Sequence, residues 1–223
     1  MKVTYIHHSC FLVETSGYYY LFDYEKGNLP AMNREKPIYV LASHSHADHY
    51  TLKVFSLLEQ LGMQDVRGVL SADISLPDGV QALQVAPEQV YTLGEQHSLI
   101  TLRSTDLGVA FLIEEAGQLL YHAGDLNDWV WDTESPAYNA QMTKDYREQI
   151  GQLADYLGNR TLDLAFVVLD PRQEQDYDRG LVYFLEHIRV SRVYPMHYWG
   201  EPRVITQFLK DHPTYQAVIG QTE

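Results

Sequence analysis

The period of apolar residues changes several times along the chain, and each change marks an element. Residues 2–6, 10–14 and 18–22 are short, rich in β-branched and aromatic side chains, and predict three strands, with Ser16-Gly17 turning between the last two. Ile38-Tyr39-Val40-Leu41-Ala42 is an unbroken apolar run after Pro37, as expected of a strand buried on both faces. From about Thr51 the spacing lengthens. Leu52, Phe55, Leu58 and Leu61 are expected to be buried on one helical face there, and Gly62 stops the helix.

The middle returns to strand patterns at 66–70, 90–93, 99–103, 109–114 and 119–122, with Ala116-Gly117 as a hairpin turn. The clearest helix covers 139–157, with Met142, Tyr146, Ile150, Leu153 and Leu157 on one face and Gly158 after it. Strands and helices then alternate: strands at 162–169, 192–194 and 217–219, helices at 180–187 and 202–209, the last opening on Pro202. Strands first and alternation afterwards predict an α+β chain in which sheets pack as a sandwich covered outside by helices. No repeat, linker or low-complexity tract divides it, so residues 1–223 read as one domain.

Composition narrows the partners. A formal net charge of −14 leaves no surplus of Lys and Arg to neutralise a phosphate backbone, which argues against nucleic acid. No apolar run approaches the ~20 residues needed to cross a bilayer, and the N-terminus reads as a strand rather than a signal peptide. The single cysteine, Cys10, excludes an intrachain disulfide and fits a reducing compartment, so a cytoplasmic location is expected. Cys10 lies in the apolar stretch Ser9-Cys10-Phe11-Leu12-Val13 and reads as a buried structural thiol.

Chemistry concentrates at residues 44–49, His-Ser-His-Ala-Asp-His, between a buried strand and a helix. Imidazole and carboxylate are ligands for zinc, iron or manganese, and the lack of thiolates argues against a structural zinc knot. A loop at a strand end can turn several such side chains toward one point, and the following helix offers its positive end there.

His44-x-His46-x-Asp48-His49 resembles the signature of the metallo-β-lactamase superfamily, which implies a four-layer αββα sandwich carrying one or two divalent metals. Further stretches extend the resemblance toward the small bacterial lactonases of the ascorbate-phosphate lactonase-like branch: the opening residues 3–12, Tyr121-His122-Ala123-Gly124-Asp125, and Tyr194-Pro195-Met196-His197-Tyr198. The resemblance implies that His44 and His46 hold a first metal, that Asp48, His49 and His197 hold a second, and that Asp125 bridges. One position departs from the pattern. Where relatives place a further histidine, this chain has Asp106 in Thr105-Asp106-Leu107-Gly108, read either as a carboxylate that substitutes for it or as a turn residue that makes a hydrogen bond before Gly108. Zinc is the first expectation for the metal, and a carboxylate-rich site tilts it toward manganese or iron.

Other residues have two readings. His8 and Asp23 are read either as neighbours of the site, Asp23 orienting a ligand histidine, or as ordinary structural groups. His97 is a rival to Asp106 but precedes its strand, ~20 Å away at ~3.3 Å per residue. Asn127, Trp129, Trp131, Tyr198 and Trp199 either line a pocket or pack the core. Arg172 either pairs with an anionic substrate or sits in a salt bridge. His7, His187 and His212 read as structural.

The expected activity is metal-dependent hydrolysis of a small lactone, ester or phosphoester by a metal-activated hydroxide. Asp48 and Asp125 would orient the nucleophile, and the proton donor would be His122, which reads alternatively as a packing residue, or a metal-bound water. The competing expectations are a non-catalytic metal-binding protein of the same fold and a binding module built on the aromatics. The expected partner is a small molecule, with self-association left open.

Overall fold

In a computed structural model of the chain, residues 1–76, 79 and 81–220 are described. They fall into two units divided between Ala86 and Pro87, each built on its own six-stranded mixed sheet.

The first unit contains β1 (Lys2–His7), β2 (Cys10–Glu14), β3 (Tyr19–Phe22), β4 (Ile38–Ala42), helix α1 (Lys53–Gln60), β5 (Val66–Ser71) and β6 (Ala82–Val85). The strands lie in chain order across the sheet. β1, β2 and β3 are antiparallel neighbours, whereas β3 to β6 run parallel. Alternation along β2, β3 and β4 sends Cys10, Leu12, Tyr19, Leu21, Ile38 and Val40 to one face, where they pack with Val54 and Leu58 of α1. Tyr20, Phe22 and Tyr39 occupy the other face as a stack, with Tyr20 and Tyr39 centroids 5.8 Å apart. Burial pushes the Cys10 thiol pKa up, with the negative charges of Asp23 and Glu25 adding to it, which makes it a packed core thiol.

The second unit contains β7 (Val90–Gly94), β8 (His97–Arg103), β9 (Val109–Glu115), β10 (Gln118–His122), α2 (Pro136–Leu157), β11 (Leu164–Val168), α3 (Arg179–His187), β12 (Val193–Met196) and α4 (Arg203–Asp211). Its sheet runs in order from β7 to β12. β7 to β10 are antiparallel, and β10 to β12 parallel. Tyr121 of β10 stacks on Phe184 of α3 at 5.5 Å, and the Tyr146 hydroxyl of α2 donates to the Gly180 carbonyl at 2.7 Å, locking the two helices together. Pro195 is tolerated in β12 because that strand is the sheet edge. Among the described residues no helix is long and apolar enough to cross a membrane.

Four expectations change. On α1, Leu58 is buried as expected, but Leu52 stands before the first turn and is exposed, and Val54 is buried instead. The helix expected at 139–157 begins at Pro136, where the Ser135 hydroxyl caps the Tyr138 N–H. Its first turn is exposed, so apolar spacing carries no trace of it. The strand expected at 217–219 is a turn: Val218 and Ile219 both donate their N–H to the Tyr215 carbonyl, and only Ile219 makes an isolated bridge, to Val193. β6 was not anticipated. It is a short edge strand whose Leu83 is exposed, and its pairing with β5 rather than its composition defines it.

Candidate metal centre

In the first unit, the pairing directions bring chain ends to one edge of the sheet. β3 and β4 are parallel, so Asp23 after one and residues 43–49 after the other emerge side by side, and the β1–β2 turn with His8 reaches the same edge. His44 and His49 are fully buried, while Asp48 keeps about a third of its side chain exposed. His8 Nε2 lies 3.5 Å from Asp48 Oδ2, and ligand atoms of His8, Asp48 and His49 lie within 4.8 Å of one another. His44 and His46 form a second such pair, with ring centroids 4.5 Å apart.

What fixes these rings is a single buried carboxylate. Asp23 accepts from the Ser43 N–H and the Ser43 hydroxyl, each at 2.7 Å, and from His49 Nδ1 at 2.8 Å. The Ser43 hydroxyl lies 2.9 Å from His44 Nδ1. With the hydroxyl proton committed to Asp23, Ser43 Oγ accepts from His44, so both buried histidines carry their proton on Nδ1 and turn Nε2 out as the donor atom. Asp23 has a left-handed backbone with φ 42°, which an aspartate tolerates better than most residues. The Ser45 N–H donates to Asp73 Oδ2 at 2.8 Å, a further brace on the same loop.

In the second unit, β8, β10, β11 and β12 end at one edge of the sheet. Asp106 follows β8, Asp125 follows β10, Asp170 follows β11 and His197 follows β12. Asp125 is buried and reaches two neighbours: His197 Nε2 is 3.4 Å from its Oδ1, and a ligand atom of the exposed Asp106 lies within 4.8 Å. Thr105 accounts for that proximity. Its hydroxyl donates to the Asn127 carbonyl at 2.6 Å and accepts from the Asn127 N–H at 3.0 Å, tying the Asp106 turn to the Asp125 loop. The turn at Asp106 is braced by the Ser104 hydroxyl, which accepts from the Asp106 N–H at 3.1 Å. His97 begins β8, the end of that strand remote from Asp106.

His197 is held as His49 is. Its Nδ1 lies 3.0 Å from Asp170 Oδ2, and Asp170 is completely buried. Burial would raise the Asp170 carboxyl, but hydrogen bonds from His197 and Arg172 more than offset that and hold its pKa at about 2. Trp129 donates Nε1–H to the Asp125 carbonyl at 2.8 Å and meets His197 edge-on at 5.6 Å, so it packs the site from beneath.

Imidazoles fixed through Nδ1, carboxylates and no thiolate make a donor set that fits a divalent ion of the zinc, manganese or iron type. The sequence model for the Beta-lactamase superfamily domain matches residues 2–137, more than half of the chain. The chain belongs to that superfamily. No curated protein matches. Solved structures of this fold cover the whole chain. The metallo hydrolase Igni18 of Ignicoccus hospitalis superposes with a TM-score of 0.67 at 16% identity, covering 99% of this chain and 94% of its own. The metallo-beta-lactamase fold protein YhfI of Bacillus subtilis gives 0.58 at 14% identity, covering 96% and 90%. The diiron β-hydroxylase CmlA of Streptomyces venezuelae gives 0.55 at 12% identity over 97% of this chain and 52% of its own. The fold is therefore the metallo-β-lactamase fold: two mixed sheets with helices.

His122, expected to move a proton, is fully buried against Phe166, and its Nδ1 accepts the Gly124 N–H at 3.1 Å. That bond shapes the Gly124-Asp125 turn, in which Gly124 takes the left-handed φ of 53°. Asp73, Thr105 and the role of Asp170 were missed in the sequence. Each acts on a partner at least 20 residues away, and no local pattern records that.

Proposed function

We propose that this superfamily member is a metal-dependent hydrolase of small lactones, esters or phosphoesters. Its ligands are His44, His46, Asp48 and His49 in the first unit, joined by His8, and Asp106, Asp125 and His197 in the second. The observation that carries the reading is the repeated device of a buried carboxylate on a histidine Nδ1: Asp23 on His49 and Asp170 on His197. Such partners hold metal-bound imidazoles in one tautomer and orientation. A divalent ion held there would acidify a water and polarise the bond to be cleaved.

The chain's own groups do the rest. Asp48, part-exposed, takes the proton of the attacking water, and its Oδ2 lies 3.5 Å from His8 Nε2. Asp125 orients the nucleophile, its carbonyl pinned by Trp129. His122, closed off from solvent, positions the Asp125 turn, a role its geometry supports better than proton donation. The acidic charge disfavours nucleic acid, and the opening residues and the Gly124-Asp125 and His197 motifs favour the lactonase-like branch.

Metal content of gently purified protein, with hydrolysis of lactone, ester and phosphodiester panels before and after chelation, tests this. Asp48→Ala and Asp125→Ala should abolish turnover in a folded chain. Full turnover by either variant, or activity indifferent to chelator, would overturn the reading.

A further inference from the structure

One group at the second unit's site is not absorbed by metal binding. Arg172 is the second residue of the 3-10 helix Pro171–Asp176, which follows β11 after Leu169 and Asp170, and its guanidinium stays half-exposed. Its Nε lies 2.9 Å from Asp170 Oδ2 and 3.0 Å from Oδ1, and Nη2 completes the fork. Only the inner edge of the fork is used. The outer edge, with both Nη1 protons and the second Nη2 proton, makes no hydrogen bond among the described residues.

The planar group is also held on its face. Its central carbon lies 4.3 Å from the Trp199 ring centroid and 5.9 Å from that of Trp131. Trp199 is 44% exposed, so core packing does not place it there. It is placed at a cost: Trp199 has φ 52° and His197 φ 63°, left-handed conformations that bulky residues rarely adopt. The loop that presents His197 is thus strained into a shape that also lays an indole on Arg172, and Trp199 Nε1 reaches Asp170 Oδ2 at 3.3 Å.

Asp170 Oδ2 therefore carries the Arg172 fork and His197 Nδ1 together, so the two nitrogens are at most about 6 Å apart, the two bonds laid end to end. A fixed guanidinium edge next to a metal ligand is the shape that receives a two-oxygen anion, because its paired N–H groups match carboxylate and phosphate geometry. A guanidinium needed only to balance Asp170 would not require an exposed indole platform.

We propose, resting on the hydrolase reading above, that the outer edge of Arg172, held rigid by Asp170 and Trp199, recognises an anionic group of the substrate, a phosphate or a carboxylate. Recognition at this edge selects substrates in which the anion sits a few bonds from the cleaved centre. Arg172 is a specificity residue, and Trp199 positions it.

The full-length, metal-loaded chain, with Arg172→Gln and Trp199→Leu variants, is titrated calorimetrically with inorganic phosphate and, separately, with acetate. Ester pairs that differ only by a phosphate or a carboxylate substituent are assayed in parallel. Arg172→Gln should weaken phosphate or acetate binding by about tenfold or more, and the arm that responds identifies the anion. It should also lower kcat/KM for the charged ester at least about tenfold more than for its neutral counterpart, mainly through KM. Trp199→Leu, which leaves the Arg172–Asp170 fork in place, should show the same selectivity at smaller size and stands in if Arg172→Gln does not fold. Unchanged anion affinity in a folded variant, or equal losses on both members of an ester pair, would refute the proposal while leaving hydrolysis intact. Weakened anion binding in a chain that hydrolyses nothing would sustain the anion site and sink the hydrolase reading.

Discussion

Asp23 offers the sharpest test of how the first unit holds its histidines. Its carboxylate is wholly buried and accepts three hydrogen bonds of 2.7–2.8 Å, two from Ser43 and one from His49. Asp23→Ala would strand those donors. At about 1–3 kcal/mol for each buried group left unmet, and with the hydroxyl free to rotate elsewhere, the metal-free protein should lose about 3–5 kcal/mol. The left-handed backbone at Asp23 adds about 1–2 kcal/mol against alanine. Asp23→Asn is the cleaner probe. It tolerates the same backbone and still accepts the Ser43 N–H, but it turns an amide N–H₂ toward the oxygen-seeking side of His49. The imidazole must then flip its tautomer or rotate. Loss of such a partner costs about 10–100-fold in metal affinity, or about 1.4–2.7 kcal/mol. Urea denaturation of the metal-free chain gives the first quantity, and zinc competition against a chromogenic chelator gives the second. A folded Asp23→Asn protein that binds zinc as tightly as wild type would show that His49 is oriented by something else.

The second unit gives a pH signature. A carboxylate held at about 2 in the folded state adds stability above its unfolded pKa near ~4 and loses it as pH falls toward 2. The stability gap between metal-free wild type and Asp170→Asn should therefore narrow by about 1 kcal/mol between pH 5 and pH 3, and a gap that stays constant in urea titrations would count against the pairing. Gly180→Ala would place a Cβ 1.8 Å from Asn127 Oδ1, and that amide is fixed by Gln173, so a loss of about 1–3 kcal/mol is expected. A melting temperature equal to wild type would show the loop to be softer than it looks. Asp106→Ala should remove or weaken one bound metal, and Asp106→His should restore it with a preference for zinc over manganese. Unaltered metal content in Asp106→Ala would return Asp106 to the role of a turn residue.

The cluster at residues 44–49 and most strands were legible because their information is local: ligand types packed into one loop, and apolar runs of the right period. Of the orienting partners, Asp23 was legible only as one of two alternatives and Asp170 not at all. Asp23 stands 26 residues from His49, and Asp170 27 residues from His197, so each pairing depends on which strands become neighbours. Arg172 was read as a choice between salt bridge and substrate anion, yet a guanidinium has two edges and the structure uses one for the first role. The failure at 217–219 has the same origin in reverse. Three apolar residues resemble a strand until the preceding turn at Pro213–Tyr215 claims the amides of Val218 and Ile219.

Pairing direction explains why the same device appears in both units. In the first, Phe22 of β3 stands beside Leu41 of β4 in parallel register, so the residues just beyond both strands emerge at the same edge. In the second, Val168 of β11 stands beside Met196 of β12 in the same relation. A carboxylate following one strand can then meet an imidazole following the next. An antiparallel connection would send the second group to the opposite edge, about 16 Å away for a five-residue strand. The left-handed backbones at Asp23 and His197, with φ 42° and 63°, turn those side chains sharply at the strand ends. Each unit thus needs only a parallel strand pair and one strained residue to fix a buried imidazole by its Nδ1. On the proposed reading, that frame orients the ligands, and residues beside them, Asp106 and Arg172, set the metal and the substrate.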